Sequence, residues 1–223
     1  FTFDWYIEMW NKARLHQALW NSIKVGVIAS IISTFIALFA AKAFTRYRVK
    51  YSGLSYGAIL LPFIIPEIII AVAFIVIWTS MGLKLGLIPI TISHVLYCTP
   101  FCLLILISRM EGFDKSLEEA SMDLGENIFG TFWRVTFPLL LPGIIASLLL
   151  SFVISFDEFI LAFFLSSSDQ TLPIYMWSQL RFPKKLPHVL ALGAIIIVAT
   201  SFIVMLSYWF RNLGQSNNNR GSH

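Results

Sequence analysis

The 223-residue chain is 57% hydrophobic and only 13% charged, with a net charge of +4 and a mean hydropathy of +0.78. That is too apolar for a soluble domain, whose surface has to be covered with polar groups, so lipid is its solvent. The basic residues are spread among loops and form no patch of the kind that binds nucleic acid.

A bilayer core of about 30 Å needs roughly 20 apolar residues per helical span. Five such runs lie at about 20–43, 56–81, 85–108, 137–165 and 188–210. They lack period-2 alternation, and inside lipid only helices or closed barrels satisfy the backbone, so the runs predict an all-α polytopic bundle. This divides the chain into an extracytoplasmic segment 1–19, a transmembrane domain 20–211 with a loop at 109–137, and a tail 212–223. Residue 1 is Phe with no Met before it, and Arg220-Gly221-Ser222-His223 reads as the start of an affinity tag.

Taken in order, the first run ends in Lys42, Arg46, Arg48 and Lys50, a density of positive charge that marks the loop before the second run as cytoplasmic. Alternation then places the 109–136 stretch and the C-terminus on the same side. Lys12, Lys84 and the stretch from Pro173 to Pro187 fall outside. Trp5, Tyr6, Trp10 and Trp20 mark one interface, Tyr175 and Trp177 lie in the outer loop, and Tyr208 and Trp209 mark the last inner boundary. Pro62 and Pro66 predict a bend or break in the second run. Gly53-Leu-Ser55-Tyr-Gly57 fits the G-x-S-x-G pattern but lacks the strand that a nucleophile elbow requires. In the third run, His94 and Tyr97 lie near Cys98; a lone His there reads as a hydrogen-bonded core residue, and Cys98 and Cys102 read as core filling.

Between the third and fourth runs, Ser116 to Gly125 predicts a short helix with a Ser116/Glu119 capping box and a glycine stop. A second helix is expected from Asn127 to Val135, ending near Pro138. A helix of about nine residues is not stable alone, so the pair should dock on something. Beyond Pro142, the fourth run carries a small polar stripe, Ser147, Ser151, Ser155 and Glu158, that should face the bundle or a pore, with Asp157 about 100° away. Glu67, Asp157 and Glu158 are acids at membrane depth, which by default mark a pathway or a partner. No Lys or Arg in the run interiors neutralises them; hydrogen bonding to neighbouring helices is the competing reading. Residues 171–183 have the apolar spacing of a short surface helix.

Glu119-Ala120-Ser121, then Gly125 four residues on, then Val135-Thr136-Phe137-Pro138, resembles the EAA loop of ABC importer permeases: Glu-Ala-Ala, three residues, Gly, nine residues, Ile-x-Leu-Pro. Ser121, Val135 and Phe137 depart conservatively. The resemblance covers nearly the whole chain and narrows to the spermidine/putrescine permease group through Phe1-Thr-Phe-Asp-Trp-Tyr6, Asn21-Ser22, Pro66-Glu67, Ser93-His94, Pro100-Phe101, Ser108 to Asp114 and Ser155-Phe-Asp157-Glu158. It implies a type I importer permease fold with a further span ahead of residue 1. Glu119, Ala120, Ser121, Leu124, Gly125, Val135 and Pro138 would meet a cytoplasmic ATPase, and Glu67, Tyr97, Asp157 and Glu158 would line a path for a polyamine or related cation. The implied partners are a second, related permease, two ATPase copies and an extracytoplasmic binding protein, received by Phe1 onward and by Ser166 to Pro187. The membrane would be the bacterial inner one. The chain has no Walker motif, so ATP and Mg would bind the partner and no cofactor this chain. Two rivals remain: an intramembrane hydrolase using Ser55 or His94, and a carrier or channel not driven by ATP.

Overall fold

A computed structural model describes residues 10, 12–47 and 50–213. Phe1 to Tyr6, Arg48 and the tail beyond 213 lie outside the described residues. Among those described, every regular element is helical.

Helix α1, Ala13–Arg46, is unbroken for 34 residues. At about 1.5 Å per residue it reaches roughly 50 Å, well past the thickness of a bilayer core. The second run is two helices, α2 (Ser52–Ile64) and α3 (Glu67–Ser80), bent by 103° at Ile65-Pro66. Pro66 supplies the break, because the residue before a proline is pushed out of the helical region and Ile65 is extended. Pro62 stays inside α2. Helix α4, Leu87–Glu111, is the third span. Ser55 sits within α2 and its hydroxyl donates to the Tyr51 carbonyl at 3.0 Å, so the hydrolase pattern has neither its strand nor its elbow.

After α4 come α5 (Ser116–Asp123) and α6 (Ile128–Thr131), and a π turn over Phe132–Thr136 runs straight into α7 (Phe137–Asp157). The expected helix end near Pro138 is not there. Proline lacks an N–H and crowds the carbonyl four residues back; the wider turn just before it, closed by Phe137 N–H to Phe132 C=O, absorbs both defects. The fourth run is also not one helix, because it stops at Asp157 and resumes as α8, Ile160–Leu165. Helix α9, Leu172–Leu180, is the short helix expected in the outer loop, and α10, Leu186–Leu213, is the last span.

The bundle is built on α1, α4 and α7, packed through small residues that let backbones approach. Gly26 lies so close to Phe152 that a Cβ there would stand 3.0 Å from its ring. Deeper in, the Ser33 and Thr34 hydroxyls lie 3.6 Å from the Cys102 sulfur, and Cys98 Sγ lies 3.6 Å from the Ser151 carbonyl. Both cysteines are buried core residues, as their positions predict.

The two ends of the bundle are fastened differently. At one end, the Asn21 amide donates to the Gln170 carbonyl at 3.0 Å, and Ser22 Oγ accepts from the Leu172 N–H at 2.7 Å. At the other, Arg46 meets the 109–136 stretch. The basic end of α1 and the α5–α6 segment therefore share one side, and the 166–187 loop takes the opposite one, as alternation requires.

Candidate functional site: a coupling segment and two broken spans

The α5–α6 segment is shaped by its caps. Asp114 Oδ1 accepts from the Ser116 N–H at 2.9 Å, which holds the Asp114 carboxyl below the usual carboxylate range. The Ser116/Glu119 capping box does not form. The helix begins at Ser116 as expected, but the charged acceptor at its N-terminus is Asp114, and Glu119 turns to Lys115 at 3.3 Å. The stop at Gly125 is as predicted. Its φ is +93°, Glu126 N–H bonds Ser121 C=O, and Gly125 N–H bonds Met122 C=O, which together make a Schellman motif. Asn127 caps α6 by accepting from the Gly130 N–H at 2.7 Å, and Ser121 and Thr131 join the two helices through hydroxyls 3.1 Å apart.

Much of the apolar surface of this segment is uncovered. Leu124 is 88% exposed and Phe129 72%, with Leu117, Met122, Ile128 and Trp133 also open. Glu119, Ala120, Leu124 and Gly125 are exposed, Ser121 and Val135 half-buried, and Pro138 exposed where α7 begins.

The opposite side holds a residue the sequence reasoning passed over. Glu118 is the buried member of α5, 7% exposed. Its Oε2 accepts from Arg46 Nε at 2.8 Å, and its Oε1 accepts from Thr136 Oγ1 at 2.5 Å. Arg46 also donates to the Met110 carbonyl at 3.1 Å and lies over the Phe113 ring. The signal available was helical phase: Glu118 shares a face with Ser121, one turn on, while Glu119 points away.

The acids at membrane depth occupy the two breaks. Glu67 opens α3 just after the 103° bend, half-buried, and accepts a hydrogen bond from the Tyr97 hydroxyl. Asp157 ends α7 and is exposed, with no ion pair or hydrogen bond among the described residues. Glu158 is 7% exposed in the gap itself. Its two oxygens accept from the N–H groups of Leu161 and Ala162 at 2.9 and 3.2 Å, and His94 Nε2 lies 3.2 Å from Oε2. His94 Nδ1 bonds Ser155 Oγ at 2.7 Å. Glu158 thus supplies acceptors to the amides that a restarting helix leaves orphaned in lipid, where each would otherwise be costly.

The Ser147, Ser151 and Ser155 stripe is buried inside the bundle against α4. Tyr97 packs with Ile70 and Ala71 of α3 and Leu161 of α8. The two breaks therefore meet around Tyr97, with Asp157 turned to the open side and Glu158 turned inward.

Residues 33–215 match the family model for the binding-protein-dependent transport system inner membrane component. The spermidine/putrescine transport system permease protein PotC of Haemophilus influenzae is 31% identical over 208 residues, covering 93% of this chain and 80% of that protein. The putrescine transport system permease protein PotI of Escherichia coli K12 is 26% identical over 214 residues, covering 92% and 75%. Among solved structures, a bacterial ABC transporter that imports the acidic polysaccharide alginate superposes with a TM-score of 0.70 at 20% identity, covering 92% of this chain and 77% of that one. An inward-facing MetNI methionine ABC transporter gives 0.66 at 16% identity, covering 86% and 95%.

Proposed function

The chain belongs to the family of binding-protein-dependent transport system inner membrane components, and from that membership we propose how it imports a small organic cation of the polyamine class. It is a multi-pass permease subunit of an ABC importer and not an enzyme. Its membrane is the bacterial inner one. Its partners are a second, related permease, two copies of a cytoplasmic ATPase that hold ATP and Mg, and an extracytoplasmic binding protein received near the 166–187 loop.

The observation that carries the ATPase contact is the exposed apolar face of α5 and α6. A short helix pair that leaves Leu124 and Phe129 uncovered, next to Glu119, Ala120, Ser121 and Gly125, has the form of a surface awaiting a groove. Val135 and Pro138 then carry its displacement into α7. Deleting 117–125 is expected to abolish co-purification of the ATPase; a complex that stays intact refutes the contact.

For the cargo, Asp157 is the open carboxylate of the pair and Glu67 with Tyr97 forms the other wall, while Glu158 shapes the break that presents Asp157. The alginate importer shares the fold and carries an acid, so architecture alone does not set the cargo; side-chain chemistry does. The relatives named for spermidine and putrescine support a cation. Asp157→Asn is expected to cut spermidine or putrescine uptake about tenfold at unchanged complex yield, the scale of a lost charge-assisted hydrogen bond. Unchanged uptake refutes the pathway. Thermal stabilisation of the cognate binding protein across amines, amino acids and phosphonates identifies the cargo directly.

A further inference from the structure

Helix α5 is flanked by glycines. Gly112 precedes it and Gly125, at φ +93°, ends it. A Cβ added to Gly125 would meet nothing within 4 Å, so the glycine answers to the backbone turn and to no neighbour. Backbone of this kind bends readily. A push on the exposed face of α5 would largely be absorbed at these two points unless a side chain fastens the helix to the bundle.

Glu118 is that side chain. It is the buried residue of α5, and through it three spans meet. Oε2 takes Arg46 at the end of α1, Oε1 takes Thr136 in the π turn that leads into α7, and Arg46 passes a second hydrogen bond to Met110 in the last turn of α4. Charge-assisted bonds of this type are short and directional, so the unit moves as one. The hydroxyl contact of Ser121 with Thr131 reaches only α6.

We propose that Glu118 is the positioning residue that converts displacement of the α5–α6 segment into movement of the inner ends of α1, α4 and α7. It touches neither cargo nor nucleotide. The inference rests on the reading of α5–α6 as the ATPase contact, and the two fail in separate ways.

The test uses the whole transporter, reconstituted with its ATPase and binding protein, and measures uptake per ATP hydrolysed beside complex yield and basal ATPase rate. Glu118→Gln strands the half-buried Arg46 charge, which can itself cost folding. The deciding variant is therefore Arg46→Gln/Glu118→Gln, which removes both charges together, so that neither is left unpaired, and breaks the reach from Arg46 to Glu118 and Met110. The double variant is expected to assemble and hydrolyse ATP like the parent, with uptake per ATP lower by about tenfold, within the usual span of coupling free energies. A double variant with parental uptake per ATP makes the pair merely structural and overturns the proposal. A double variant that fails to assemble overturns it too, because the pair is then needed for folding. If the parental α5–α6 segment does not hold the ATPase at all, the underlying reading fails instead.

Discussion

At the scale of single residues, the acids divide by what they bond. Glu158 holds two amides at a helix restart, so Glu158→Ala would leave both without a partner in an apolar setting, at about 1–3 kcal/mol for such a group. Thermal unfolding in detergent should show the loss for Glu158→Ala and little change for Asp157→Asn, since Asp157 makes no such bonds. Asp114 gives a pH effect of known sign. Its carboxyl is held down by the Ser116 N–H, so it stabilises the start of α5 fully above the ordinary carboxylate pKa, and that support is lost as pH falls through the lowered value. The protection of the 116–119 amides, taken relative to their intrinsic exchange rate at each pH, is expected to fall on acidification. In Asp114→Asn, which lacks the charge, it should be low at neutral pH as well.

At the scale of elements, the tight stripe between α4 and α7 makes a clear demand. Ser151 is fully buried beside Cys98, so Ser151→Leu overfills the seam and should cost about 1–3 kcal/mol, read as a lowered melting temperature. Gly125→Ala forces a Cβ into positive φ with no steric clash, so about 1–2 kcal/mol of pure backbone strain is expected at the end of α5. The five apolar runs, the Pro66 break, the Gly125 stop and the α9 helix could all be read from hydropathy and punctuation, because each depends on local chemistry. The break at Glu158 could not: nothing in Ser155-Phe-Asp-Glu marks a stop, and it becomes visible only once His94, Leu161 and Ala162 surround the carboxylate. Pro138 misled because proline is a stop signal only when the turn before it is an ordinary α turn, and here that turn is π. Glu118 was hidden beside its neighbour, whose motif position drew attention to the exposed face.

At the scale of the molecule, the acids that could meet a cation sit where spans break, and the segment that could meet an ATPase sits where a span begins. Within the apolar runs the helix breaks at Ile65-Pro66 and at Glu158 fall at these places, while α1, α4 and α10 run uninterrupted. Such a division lets moving parts hinge while the frame stays stiff.

Helix α1 has a consequence of its own. It is seamless from Ala13 to Arg46, gripping the 170–172 strap through Asn21 and Ser22 near its start and the Glu118 carboxylate at its finish. A rod clamped at both tips cannot shift at one without shifting at the other. A displacement of the 170–172 stretch is therefore felt at the Glu118 carboxylate on the far side of the bundle, as a push along a single axle.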